Sequence, residues 1–305
     1  MAPHEQRDVH GILLFDKPQG LSSNQALQTV RRLFDAAKAG HTGSLDPLAT
    51  GLLPICFGEA TKIAGLLLGS RKAYDTECRL GATTDTDDAE GRITSERPVP
   101  ELDAARIDEA LAALRGRIVQ KPPAYSALKQ DGEPMYRKAR RGEAVETRPR
   151  EVDVHRFDLI EILPDRLRLH VECGSGTYVR SLVRDLGGRL GCGAHVTMLR
   201  RLWVEPFMTP RMHRLDELEA IAKSGGFEAL DALLQPLEIG LAGYPQIMVD
   251  EAVALRLRQG QPVDGYARTA MGRYVAIDSG GRAVALVECG GDGLLRTQRG
   301  FNRLP

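Results

Sequence analysis

From Gly40 to Lys62 the chain reads GHTGSLDPLATGLLPICFGEATK, a glycine-rich stretch built around one carboxylate, Asp46. Glycines at 40, 43, 51 and 58 leave the backbone free to take left-handed turns and to pass close to a ligand, and Pro47 biases Asp46 towards extended conformations. A single acid on a loop of small residues suits a site for a bulky substrate, although on residue types alone it also suits a solvated turn. Hydrolysis of a glycosidic bond normally uses two flanking carboxylates. Only one is nominated here, which weakens a hydrolase reading.

Three other patterns carry no chemistry on inspection. The acidic run TTDTDDAEG, residues 83–91, places Ala89 and Glu90 where a calcium loop needs a ligand and a glycine. GSGTYV, residues 174–179, starts like a dinucleotide fingerprint but fails at Val179. Cys192 and His195 form an isolated C-x-x-H that lacks two further zinc ligands. None of these three patterns therefore nominates a metal or dinucleotide site.

The elements that must hold Asp46 follow from periodicity. Gly11 to Asp16 reads as a short buried strand ending in the Lys17-Pro18-Gln19-Gly20 turn. Ser22 or Ser23 can cap a helix whose apolar residues are Ala26, Leu27, Val30, Leu33 and Phe34. After the Asp46 loop a strand is predicted over Leu52 to Phe57, then a helix over Glu59 to Leu68. Ala73 to Leu80 alternates, with Tyr74, Thr76, Cys78 and Leu80 on one face. A helix over Leu102 to Leu114, strands over Val152 to Ile160 and Arg166 to Cys173, a helix bearing Leu182, Val183 and Leu186, a strand over Ala194 to Val204 and short helices over Leu215 to Leu234 complete the larger unit. A composition shift at Gly240 to Pro245 opens a tail with one short helix, Glu251 to Arg258, and several strands between glycine turns. That tail has eight arginines against six acids.

Lys121 to Arg150 breaks the rhythm with Pro122, Pro123, Pro134 and Pro149, and carries Tyr125 and Tyr136. Between Arg137 and Arg150 six basic residues stand against two acidic ones, a local net of plus four. Such a segment suits a clamp on RNA backbone and bases, or an ordinary solvated surface. Over the whole chain of 305 residues, 41 cations balance 41 anions, so any nucleic-acid contact must be local. Five scattered cysteines without a C-x-x-C pair fit buried thiols in a reducing cytosol. No secretory leader is expected from the charged N-terminal residues, and the longest apolar runs are too short to span a bilayer. A cytoplasmic monomer is expected, because no extended apolar or heptad surface stands out.

GHTGSLDPLATGLLPI, together with the Lys17-Pro18 turn, Lys72-Ala73-Tyr74, Ser175-Gly176-Thr177-Tyr178-Val179-Arg180 and the run Gly191-Cys192-Gly193-Ala194-His195-Val196 with Leu199-Arg200-Arg201-Leu202, resembles the bacterial tRNA pseudouridine-55 synthases of the TruB family. The match spans nearly the whole chain in order. It implies an α+β fold, with a mixed, mainly antiparallel sheet flanked by helices over residues 1–243, a clamping insertion over 121–150, and a small β-rich, PUA-like RNA-binding domain over 244–305. It implies isomerisation of uridine 55 in the tRNA T loop without a cofactor. A tRNA-binding or tRNA-folding module with incidental catalysis is the alternative.

Residue by residue, the resemblance makes Asp46 the catalytic carboxylate, acting by attack at the sugar C1′ or by a glycal route, with Arg180 as the cation that pairs with it and lowers its pKa. It makes Tyr74 the stacking partner of the flipped base, Tyr178 and Leu199 other walls of the pocket, and His41 an RNA contact. Lys17 and Pro18 buttress the loop. Stacking on an aromatic, worth about 1 to 3 kcal/mol, offsets the cost of unstacking one base. No role for Asp85 or Asp88 is derived.

Overall fold

A computed structural model describes residues 5–126, 128–130, 132–143, 145 and 147–302; within 129–140 it describes the side chains of all but Lys129, Gln130, Pro134, Tyr136 and Arg140. The predicted clamp therefore includes residues 127, 131, 144 and 146, and the side chain of Tyr136, that lie outside the described set.

The strands are β1 (Gly11–Lys17), β2 (Ala39–His41), β3 (Thr50–Phe57), β4 (Lys72–Leu80), β5 (Ala82–Thr84), β6 (Ile93–Glu96), β7 (Gly116–Gln120), β8 (Lys129–Gln130), β9 (Glu133–Pro134), β10 (Arg150–Ile162), β11 (Arg166–Cys173), β12 (Ala194–Val204), β13 (Gln246–Met248), β14 (Gly272–Ile277), β15 (Ala283–Cys289) and β16 (Leu295–Gly300). The helices are α1 (Ser23–Leu33), α2 (Ala64–Leu67), α3 (Ala104–Ala112), α4 (Met135–Arg140), α5 (Val179–Leu190), α6 (Leu215–Asp231) and α7 (Glu251–Arg258). Eight strands make the main sheet, in the order β1-β3-β12-β4-β11-β10-β7 with β2 also on β3. All its pairings are antiparallel except β3 with β12.

β3 organises the site. One edge pairs with β1 along its whole length, while the other is divided: β12 takes Thr50 and Gly51, and β2 takes Ile55 to Phe57. The chain between β2 and β3, which carries Asp46, emerges where that edge changes partner. Between the two partners the Pro54 carbonyl accepts from the Thr42 amide and the Leu52 carbonyl from the Arg201 side chain.

One face of the sheet packs Phe15, Ile55, Phe57, Cys78, Leu169 and Val196 against α1, α3 and α5, whose inward residues include Val30, Ile107, Leu182 and Leu186. α1 is nucleated by a capping box: Ser22 Oγ accepts from the Gln25 amide while Gln25 Oε1 accepts from the Ser22 amide. Asp103 caps α3 through the Arg106 amide. The other face of β1 and β3 presents Ile12, Leu14, Leu52 and Cys56 to a second core, shared with Leu237 and Leu241 and with Val275, Leu286 and Phe301 of the C-terminal sheet β13-β14-β15-β16.

One expected element differs: Glu59 to Leu68 is a 3-10 turn over Gly58–Ile63 that passes into the four-residue α2. The short helices expected over Leu215 to Leu234 are the two parts of α6, separated at Gly226, whose φ of 64° with ψ of −153° only glycine adopts readily.

Candidate active site

The Asp46 loop is fastened from below by three side chains. Ser23 Oγ accepts from the Leu45 amide at 2.7 Å and donates to the Leu45 carbonyl at 3.0 Å. Lys17, fully buried, donates to the carbonyls of Ala49 at 2.7 Å and Pro18 at 2.8 Å, with Pro47 at 3.5 Å. Arg201, 1% exposed, donates to the carbonyls of Leu52 at 2.7 Å and Gly43 at 3.1 Å, filling the opening where β3 changes partner. Gly51, at φ +96°, lies so close to β12 that a Cβ there would stand 2.1 Å from the Arg201 carbonyl oxygen. These side chains serve backbone groups of the loop and, at Leu52, of β3 itself.

Above the loop lies a cleft of about 900 Å³ whose lining includes Asn24, His41, Asp46, Asp88, Tyr125 and Arg180. Arg180, 4% exposed, extends Nε to Asp46 Oδ2 at 2.9 Å and Nη1 to Asp88 Oδ2 at 3.2 Å. Its remaining donors go to the carbonyls of Thr86 at 2.7 Å and Tyr125 at 2.8 Å. Nε meets Asp46 as a charge contact rather than a well-aligned hydrogen bond. Asp88 is saturated by Thr86 Oγ1 at 2.6 Å and the Glu90 amide at 3.1 Å.

The electrostatics correct one expectation. Arg180 was expected to lower the pKa of Asp46; instead it lies above the usual carboxylate value, because desolvation outweighs the opposing Arg180 and Lys17 and Asp88 adds to the rise. The Asp46 side chain keeps 39% of its surface open, towards the cleft, so solvent moderates a shift that the surrounding protein mass alone would make larger. Burial also lowers Lys17 to about 8 and, with Arg201, lowers His41, whose ring is neutral at pH 7 and whose Nδ1 has no partner.

Asp46, His41 and Arg180 thus meet at one cleft, with Lys17 beneath them. Tyr74, 7% exposed, and Leu199, 6% exposed, belong to the core and do not line the cleft. Tyr178 is also outside the lining; it precedes α5, with its backbone clasped by Gln120 and the Arg150 guanidinium 5.1 Å from its ring centre. Inward-facing positions of strands serve the core first, which is why these side chains are covered. Sequence reasoning missed Asp88 as the second carboxylate on Arg180, Arg201 as a buried fastener and Tyr125 as a cleft residue. For Asp88 a signal existed: an acid surrounded by Thr and Gly in a tight turn accepts hydrogen bonds locally. Arg201 gave none, since a strand arginine usually faces solvent. Among the described residues no group of three or more His, Cys, Asp or Glu is placed to hold a metal ion. None of their helices is long and apolar enough to cross a membrane.

This architecture is shared with solved complexes. A Cbf5-Nop10-Gar1 complex matches at a TM-score of 0.72 and 22% identity, covering 96% of this chain and 84% of that one. An H/ACA RNP bound to a substrate RNA containing 2′-deoxyuridine matches at 0.74 and 20% identity, covering 96% and 86%. At these identities the likeness concerns the fold.

The sequence relations are closer. Residues 31–179 match the TruB family pseudouridylate synthase N-terminal domain, and residues 180–242 the tRNA pseudouridylate synthase B C-terminal domain. The tRNA pseudouridine synthase B of Xanthomonas campestris pv. campestris strain B100 is 57% identical over 98% of this chain and 96% of its own length. That of Stutzerimonas stutzeri strain A1501 is 49% identical, over 96% of each. The chain belongs to the TruB family of pseudouridylate synthases.

Proposed function

We propose that this protein isomerises uridine 55 in the T loop of tRNA to pseudouridine, with Asp46 as the catalytic carboxylate. The observation that carries the assignment is Asp46, charge-paired with the buried Arg180 and with 39% of its side chain open to the cleft, in a chain of this family. The N1–C1′ bond of the flipped nucleotide breaks, a C5–C1′ bond forms, and the C5 proton leaves to solvent while N1 regains one. An anion beside C1′ serves both a covalent and a glycal course. Arg180 orients that anion, neutral His41 contacts the RNA, and Lys17 with Pro18 supports the loop. Tyr74, Tyr178 and Leu199 back the site from the core, and Tyr125 is the aromatic placed at the cleft itself.

The segment 121–150 closes over the RNA. Part of its cationic charge is already engaged, since Arg141 pairs with Glu133 and Glu143 and Arg150 is seated on Gly176 and Tyr178. Residues 244–305 form a PUA-like RNA-binding domain, and the protein works as a cytoplasmic monomer.

The test uses a T stem-loop RNA tritiated at uridine C5. The wild type releases tritium and Asp46→Asn does not, while both bind the RNA. Binding without release by the wild type would make the protein a tRNA-binding module, and free uracil would make it a hydrolase.

A further inference from the structure

Two arginines leave α5 one turn apart, and both reach the same two neighbours. Arg180 donates to Thr86 and Tyr125, as described above. Arg184 pairs through Nη1 with Asp87 Oδ2 at 2.9 Å and donates through Nη2 to the Lys121 carbonyl at 2.9 Å, while its Nε reaches Asp185 Oδ1 at 3.0 Å. The acidic turn 85–91 and the root of the 121–150 segment are therefore tied to the helix at two successive levels. Arg184 does not line the cleft, so its contacts require an account other than contact with substrate.

Asp87 provides that account. It sits at φ +62°, in the left-handed region that L residues visit sparingly, Asp more readily than most. Its side chain is 13% exposed, and burial pushes its pKa up against the pull of Arg184. The Asp87 carbonyl accepts from the Val196 amide at 3.1 Å, which pins the turn to β12. The left-handed residue then sends the next side chain, Asp88, back beneath Arg180. Arg180 also faces Asp87, yet Arg184 is the cation in contact with it, and without Arg184 the buried carboxylate moves outward or takes up a proton. Either outcome releases the turn that aims Asp88.

We propose that Arg184 is a positioning residue for the isomerisation: by holding the Asp87 carboxylate and the Lys121 carbonyl together, it fixes the acidic turn and the clamp root in the stance at which Asp88 shares Arg180 with Asp46. The inference rests on the reading of Asp46 and Arg180 as the catalytic pair.

The groups facing Asp46 are Arg180 from α5, Asp88 and Glu90 from the acidic turn, and Lys17 from the end of β1. In the full chain, Arg184→Met keeps the bulk and removes the charge. Single-turnover tritium release at neutral pH then falls about 10- to 100-fold, as for a displaced catalytic group. The acid limb of the pH–rate profile moves to lower pH, because Asp88 no longer raises the Asp46 pKa. Arg184→Lys restores most of the rate and of the limb. In an Asp88→Asn background, Arg184→Met leaves the limb where it stands.

Asp46→Asn is the control: residual release by that variant overturns the catalytic reading, whatever Arg184 does. If Asp46→Asn is inactive while Arg184→Met keeps the parent profile and a rate within about twofold, as a solvated ion pair gives, the inference is overturned. Should Arg184→Met fold poorly, Asp87→Asn tests the same tie from its other end. The same limb shift supports the inference and an unchanged profile overturns it.

Discussion

At Asp46 the walls of the cleft and the neighbouring Asp88 disfavour the charge, while Arg180 and Lys17 favour it, and the sum lies above the usual value of 3.8. The ionised form is the reactive one, so release falls as pH drops through a midpoint above 3.8, and a pH–rate profile measures it. Asp88→Asn removes one raising charge and shifts that midpoint downward. The same imbalance bears on stability. A carboxyl whose folded pKa is raised stabilises the fold most at low pH and progressively less as pH rises through its unfolded and then its folded value. Near neutrality its charge is therefore a local burden, and Asp46→Asn, a neutral isostere, is expected to show a Tm equal to or above that of the wild type. Its rate falls at least about 1,000-fold, as expected when a central catalytic group is lost. A lower Tm for this variant would mean that the ion pair with Arg180 outweighs desolvation.

At the scale of elements, the loop is rigid because β1, α1 and β12 each send one side chain to its backbone. Lys17, Ser23 and Arg201 come from three separate parts of the sequence, and all end on carbonyls or amides of residues 43–52. Gly51→Ala tests the closest of these approaches. A Cβ 2.1 Å from a backbone oxygen, at φ +96°, forces β3 and β12 apart. The expected loss exceeds about 2 kcal/mol in denaturant unfolding, with activity lost alongside it. The clamp obeys a different physics, since it acts through phosphates. Shortening 121–150 is expected to weaken RNA binding and to reduce the slope of log K against log salt by about 0.7 to 0.9 for each phosphate contact removed. Equal slopes would show that the segment touches no backbone charge.

For the whole molecule, the decisive contact is the core shared between β1, β3 and the C-terminal sheet. Leu52 belongs to the strand that follows Asp46, and its side chain packs in the same cluster as Phe301, near the other end of the chain. Lys62 adds a polar tie by donating to the Gly300 carbonyl at 2.9 Å, and Glu59 accepts from the Asn302 amide at 2.8 Å. Phe301→Ala is therefore expected to lower the stability of the whole chain by about 3 to 5 kcal/mol, in a single unfolding transition. Two transitions by calorimetry, with the catalytic part unchanged, would show instead that the tail folds independently.

The sequence by itself determined the local order of this protein. The alternation of β4 and β11, the capped start of α1, the apolar stripe of α5 and the glycine-rich Asp46 loop all follow from short-range rules, and family-specific motifs placed Asp46 and Arg180 in one site. Tertiary structure decided what depends on distant segments meeting. It divided an edge of β3 between β2 and β12, brought Arg201 from solvent-type chemistry into the interior, and set Asp88 on the far side of Arg180. It also covered Tyr74 and Leu199, and joined the C-terminal sheet to the back of β1 and β3. Periodicity reports which face of an element is apolar, but not which neighbour will cover it. The sign of the Asp46 shift is of this second kind, because desolvation depends on everything that folds around a charge.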